Sequence, residues 1–140
     1  MASRPVFGDT SFFFALAAKR DAAHRTALRI YGKLLRTGTH VITTDYILDE
    51  TLTLAKARIN ADVALALLNR IEQSEAIVKE TIDAARFAAA KAYFRKHADH
   101  DYSFTDCSSF VLMRELRLAA ALTTDRHFRE AGFEVLLPMA

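Results

Sequence analysis

Three aspartates, Asp9, Asp106 and Asp125, each stand where an apolar run gives way to a helix-like stretch. Asp9 follows PVFG and opens TSFFFALAAK; Asp106 sits in SFTDCSSFVLM; Asp125 follows AAALTT and opens RHFREAGF. Repeated strand–acid–helix transitions constrain the fold strongly. In an open parallel sheet the carboxyl ends of the strands share one edge, so the acids would gather there. Several carboxylates meeting at one place cannot all stay ionised without a cation. Carboxylates and water are the preferred ligands of a hard divalent metal.

The rest of the chain supports that architecture. VFGD, HVITT, AIVK, LAAALTT and FEVLL read as strands, AIVK being the weakest. Helices are predicted from Thr10 to about Lys19, His24 to Leu35, Tyr46 to Arg58, Ala61 to Gln73, Ile82 to Lys96, Thr105 to Arg117 and Arg126 to Ala131. Asn60 is placed to cap the fourth of these, and Gly38 to end the second at its C′ position. Strands alternating with helices predict a three-layer α/β/α domain with a four- or five-stranded, mostly parallel sheet. With 140 residues and no linker or repeat, one domain over residues 1–140 is expected.

Composition narrows the function. At 51% hydrophobic and 26% charged residues, the chain is not a disordered one. Its single cysteine, Cys107, cannot form an internal disulfide, which suits a reducing cytoplasm. No apolar run reaches the roughly 18 residues that cross a bilayer, and MASRPVFGD lacks the apolar core of a secretory signal. A cytoplasmic protein without a membrane partner is expected. A net charge of +2 permits an anionic partner without demanding one.

Aspartate is also a favoured N-cap, and taken singly each of the three acids serves that role well. Ser103-Phe104-Thr105-Asp106 even fits a capping box. Glu50 is different. It lies mid-helix in ITTDYILDETLTLAKAR, where capping does not explain it; a solvated helix face is the competing account. Nor does capping require three strand-proximal acids in one small domain.

GDTSFFFALAAKRDAAH, DETLTLAKAR, DYSFTDCSSFVLM and LTTDRHFREAGFEVLLP together resemble the motifs of PIN domains, in particular the VapC-type toxin ribonucleases of prokaryotic toxin–antitoxin pairs. The resemblance runs nearly end to end and is weakest in the middle helices. PIN domains carry four acids in this order, which map onto Asp9, Glu50, Asp106 and Asp125. The resemblance implies a metal-dependent endoribonuclease whose Mg2+ or Mn2+ is held by Asp9 and Asp106, with Glu50 and Asp125 completing the acidic pocket. Thr10 would orient a carboxylate or a metal-bound water. It also implies an RNA substrate and an antitoxin partner. The Ala- and Phe-rich helices add the expectation of a homodimer and of a groove for an antitoxin's amphipathic segment. A PIN nuclease of RNA processing or decay, and a non-catalytic RNA-binding module, are the alternatives. A phosphotransfer receiver domain also clusters acids at strand ends, but the fourth strand here ends TTD without the lysine of that family.

Other residues receive plainer readings. Asp45 is expected to cap the Tyr46 helix, and Asp99 and Asp101 to be solvated in the HADHDYS loop. Asp49 points about 100° away from Glu50 around its helix. Thr124 reads as Thr10 does. Cys107 is expected in the core, and so, in the main, are the Leu- and Ala-rich helices, among them the second, where Ala27, Leu28, Tyr31, Leu34 and Leu35 fall at spacings of three and four. His97 and His100 are expected in solvent, and His127 at the surface or against substrate phosphate. Phe12, Phe13 and Phe14 are expected mainly in the core, but three successive helical residues cannot share one face, so one of them is expected to face a partner chain. Arg4, Lys19, Arg20, Lys56, Arg58, Arg126 and Arg129 are candidates to hold an RNA backbone.

Overall fold

A computed structural model describes residues 3–137. In chain order the elements are β1 (Val6–Gly8), α1 (Thr10–Ala17), α2 (His24–Arg36), β2 (Val41–Thr44), α3 (Asp45–Arg58), α4 (Ala61–Gln73), β3 (Ile77–Glu80), α5 (Ala84–Lys96), α6 (Phe104–Glu115), β4 (Ala120–Leu122), α7 (Arg126–Glu130) and β5 (Glu134–Val135). The five strands form one sheet in the order β3-β2-β1-β4-β5, every pairing parallel. Helices α1 to α4 pack on one another, as do α5, α6 and α7. Right-handed crossovers put these two groups on opposite faces of the sheet, which gives the three layers the sequence predicts.

The central strand β1 is buried along its whole length, which is why it reads as an unbroken apolar run. Gly8 ends it because nothing larger fits: a Cβ there would lie 2.7 Å from Val41 Cγ1 and 2.8 Å from Phe13 Cζ. The core gathers Phe7, Phe12, Phe13, Ile47, Phe110, Leu112, Leu122 and Phe128, with Cys107 among them. At the edge of the sheet, β3 takes Ile77 to Lys79 of the AIVK run and adds Glu80, and its exposed Lys79 discourages pairing with another chain.

Local signals set most helix ends. Asn60 accepts the Val63 amide at 2.8 Å and caps α4 as expected. Gly38 takes φ +67 and closes α2. The capping box of α6 is complete: Ser103 Oγ accepts the Asp106 amide at 3.0 Å, and Asp106 Oδ2 accepts the Ser103 amide at 3.1 Å. Arg86 then ties α6 to the β3 side. It grips both Glu115 oxygens at 3.0 and 2.7 Å, pairs with Glu80 at 3.0 Å and donates to the Thr81 carbonyl at 2.8 Å.

Two expectations need correction. Asp45 does not cap α3. Thr44 Oγ1 takes the Ile47 amide at 3.0 Å, while Asp45 Oδ1 accepts the Ile82 amide at 2.8 Å, bracing the entry to α5 instead. The apolar stripe of α2 is only partly core: Ala27 and Tyr31 are buried, but Leu28 and Leu35 are exposed. Of the three phenylalanines, Phe12 and Phe13 are buried and Phe14 is the one left at a groove.

Candidate metal centre

Strand order turns back between β1 and β4, since the chain proceeds outward from β1 through β2 to β3 and then returns to the other side. A crevice opens at the carboxyl ends of strands where such a reversal occurs. Asp9 leaves β1 there, and Thr123, Thr124 and Asp125 leave β4. The Asp9 amide donates to the Leu122 carbonyl at 3.1 Å, so the two strand ends are bonded side by side.

Asp9 occupies the N-cap position of α1, yet its side chain makes no capping bond. It turns into the crevice and is buried. Thr123 Oγ1 donates to Asp9 Oδ2 at 2.7 Å and accepts the Asp125 amide at 3.0 Å. Ser11 Oγ lies 3.2 Å from Thr123 Oγ1 and donates to Asp9 Oδ2 at 3.5 Å, so both hydroxyls stand on the same carboxylate oxygen. Ser11 Oγ in turn accepts the Thr124 amide at 3.0 Å. Burial pushes the Asp9 carboxyl up to about 7. The Thr123 hydroxyl and the Thr10 amide pull the other way, and the Asp106 and Asp125 charges push it further up.

Asp106 reaches the crevice from the first turn of α6, and Asp125 and His127 from the start of α7. Among the described residues these three form a group whose ligating atoms all lie within 4.8 Å of one another. His127 Nδ1 stands 3.3 Å from Asp106 Oδ2 and 3.1 Å from Asp125 Oδ1. These are ion-pair distances, but the N–H direction meets neither oxygen. Both ring nitrogens are buried and neither makes a hydrogen bond. The contact is therefore a meeting of ligating atoms rather than a hydrogen-bonded pair. Burial raises the Asp106 carboxyl above its ordinary range, with the Asp125 charge adding to the rise and the Ser103 amide opposing it.

Glu50 joins from α3. Thr10 Oγ1 donates to Glu50 Oε1 at 2.6 Å, so the residue after Asp9 holds the fourth acid. Glu50 lines an open groove of about 510 Å3 with Tyr46, Asp49, Thr53, Leu54, Ala57 and Thr105. Asp49 shares this groove despite its different heading on the helix. Thr105 places the groove directly beside Asp106.

A family model for the PIN domain matches residues 6–134. This chain belongs to the PIN domain family. It is 33% identical over 133 residues to the 23S rRNA-specific endonuclease VapC20 of two Mycobacterium tuberculosis strains, CDC 1551 and H37Rv, covering 95% of this chain and 98% of theirs. The crystal structure of Mycobacterium tuberculosis VapC20, described as a sarcin–ricin loop cleaving toxin, superposes with a TM-score of 0.86. The sequences there are 32% identical, over 95% of this chain and 99% of that one. The FitAcB structure from Neisseria gonorrhoeae matches at a TM-score of 0.61 and 19% identity, over 93% and 95% of the two chains, a likeness of fold alone.

The donor set of this PIN domain fits a divalent cation. Buried carboxylates whose proton affinity is raised are short of positive charge, and a cation supplies it. Sequence reasoning named Asp9, Asp106, Asp125, Glu50 and Thr10, but not Thr123 or Ser11, which bond to Asp9, and it left His127 at the surface or on substrate, whereas its ring nitrogens are buried between Asp106 and Asp125. It selected Thr124 where Thr123 touches the acid. Its list of cations also needs trimming: Arg4 precedes β1 and lies in a cleft with Arg117 and Leu118, at the amino ends of the strands and away from the acids. Arg126 stays a candidate, since its 3.4 Å pair with Glu130 leaves its side chain 72% exposed. Cys107 is buried with its thiol pushed up to about 11, so it is inert as a nucleophile.

Proposed function

We propose that this PIN domain is a metal-dependent endoribonuclease and the toxin of a VapBC-type pair, with 23S rRNA and its sarcin–ricin loop as the first substrate to test. The observation that carries the reading is the cluster at the β1/β4 crevice, where Asp106, Asp125 and His127 bring ligating atoms within 4.8 Å of one another and Asp9 lies near enough for both aspartate charges to add to the rise that burial gives its carboxyl. Near end-to-end similarity to an endonuclease named for 23S rRNA supports the substrate.

Asp9, Asp106 and Asp125 would hold the ion, Mg2+ or Mn2+, with Glu50 closing the set through Thr10. A divalent cation bound there lowers the pKa of a coordinated water and offsets the charge that develops on the leaving oxygen. Thr123 and Ser11 fix the Asp9 carboxylate, so that its oxygen lone pairs are aimed before any ligand arrives. The groove beside Glu50 and Thr105 gives the RNA a path past the acids. In a cleavage assay on purified 23S rRNA, Mg2+ or Mn2+ should support cutting and EDTA should abolish it. Cutting at an undiminished rate in EDTA would overturn the metal mechanism.

The partner surfaces follow from what the fold leaves uncovered. Phe14, Ala17, Ala18, Ile59 and Val63 floor a groove of about 610 Å3, with Lys19, Arg20, Arg58 and a single acid, Asp21, on its rim. An apolar floor with a basic rim suits the amphipathic, acidic helix of an antitoxin. On α5, Phe87 and Phe94 are 38% and 45% exposed, a large aromatic outlay for a surface helix. We assign this face to a homodimer. Phe94→Glu should shift the protein to a monomer in light scattering at micromolar concentration; a wild type already monomeric there would remove the dimer from the proposal. Among the described residues, no helix is long and apolar enough to cross a membrane.

A further inference from the structure

We propose that His127 is itself a cation ligand, binding through Nδ1 beside Asp106 and Asp125, and that it biases the site toward Mn2+ over Mg2+. The inference rests on the metal-dependent reading above and adds to it a non-carboxylate donor.

Distances come first. Nδ1 lies 3.1 Å from Asp125 Oδ1 and 3.3 Å from Asp106 Oδ2. A six-coordinate ion with bonds of about 2.1 Å has neighbouring donors about 3.0 Å apart. Nδ1 is therefore spaced from each carboxylate oxygen as one ligand of an ion is from its neighbours, and all three residues offer ligating atoms within 4.8 Å of one another. The plainer account is an imidazolium wedged between two carboxylates. Such a group would donate a hydrogen bond to at least one of them, and a buried donor rarely goes without. Here Nδ1 donates to neither, and both ring nitrogens are buried without a partner.

The ring is also held in place. Tyr102 meets it edge-on, with centroids 5.5 Å apart and planes at 80°. Asp125 Oδ1 accepts the His127 amide at 2.9 Å, fixing the backbone that carries the ring. An imidazole nitrogen kept at a fixed position beside two carboxylates and without a hydrogen-bond partner is placed to ligate a cation. Carboxylate and water donors serve Mg2+ and Mn2+ alike, but imidazole nitrogen favours transition ions. Mg2+ in addition dehydrates reluctantly and keeps its waters.

The test is Mn2+ bound to the metal-free protein, read by pulsed electron paramagnetic resonance. Wild type should show modulation from a directly coordinated imidazole nitrogen. His127→Asn, whose side-chain oxygen falls near the position of Nδ1, should lose that modulation. The preference for Mn2+ over Mg2+, from competition titration, should fall by about tenfold or more in the variant. Loss of the signal in the variant assigns it to His127 rather than to His97 or His100. Mn2+ bound with oxygen donors only, or an unchanged Mn2+/Mg2+ ratio in the variant, would overturn the role of His127 and leave the metal reading standing. No Mn2+ binding at all, with cleavage indifferent to EDTA, would overturn the metal reading itself. Should His127→Asn not fold, His127→Gln takes its place in both measurements, and a wild-type spectrum without imidazole modulation overturns the role of His127 with no variant needed.

Discussion

Asp106→Asn should reduce RNA cleavage by about 1,000-fold or more, with the fold unchanged. The substitution keeps the shape and removes one charge from a site that needs negative charge to hold a cation. A loss of about 4 kcal/mol of stabilisation at the transition state corresponds to that factor, and metal coordination supplies energy of this size. The side chain also belongs to the capping box of α6. Asparagine can still accept the Ser103 amide through its carbonyl oxygen, so the helix start survives at a cost of a few tenths of a kcal/mol. Activity and stability are thereby separated at one atom pair. Single-turnover cleavage in Mg2+ or Mn2+, with circular dichroism on the same sample, reads both. If the protein is a toxin, its expression should arrest growth and the variant's should not. A variant that cleaves at the wild-type rate would remove Asp106 from the metal centre.

The aspartates were legible in the sequence because strand-to-helix transitions are local events. VFGD, SFTD and LTTD each mark where a strand or loop turns into a helix, and the parallel topology then carries these places to one edge. Asn60 and the Ser103–Asp106 box were legible for the same reason, since a cap needs only its own three or four residues. Other features depended on what arrives from far along the chain. Thr44 and Asp45 are both good caps, and nothing local says that the Ile82 amide will claim Asp45 and leave the capping to Thr44. LTTD offers two threonines; only the pairing of β4 against β1 decides that Thr123 faces Asp9. His127 follows Asp125 by two positions, which on its own suggests a surface residue. Its ring nitrogens are buried because Tyr102 and Asp106 come to it from the preceding loop and from α6. The periodic leucines of α2 fitted a core stripe, yet Leu28 and Leu35 stay exposed, because the hydrophobic pattern does not say whether a helix face meets its own chain or another.

Asp9→Asn should stabilise the metal-free protein, and the gain should depend on pH. The Asp9 carboxyl has an ordinary value of 3.8 and stands at about 7 in the folded chain, because burial penalises its charge. Between these values the folded protein keeps a proton that the unfolded chain has released. Stability therefore falls as pH rises from about 4 to about 7, and stays at the lower level above that. At 1.4 kcal/mol for each pH unit separating the two values, the penalty is at most about 4 kcal/mol; relaxation and water entry make about 2 kcal/mol a fairer expectation. Asparagine has no charge to bury, and its oxygen can still accept from Thr123. In EDTA at pH 8 the variant should melt higher than wild type, and near pH 4 the two should coincide. Adding Mn2+ should reverse the order at pH 8. An ion at 100 times its dissociation constant contributes about 2.7 kcal/mol to the form that binds it, and the variant has lost a charged ligand. A variant that melts alike at both pH values would mean that Asp9 is not strained in the metal-free state. In that case the convergence of acids at the crevice would carry no stored repulsion for a cation to relieve.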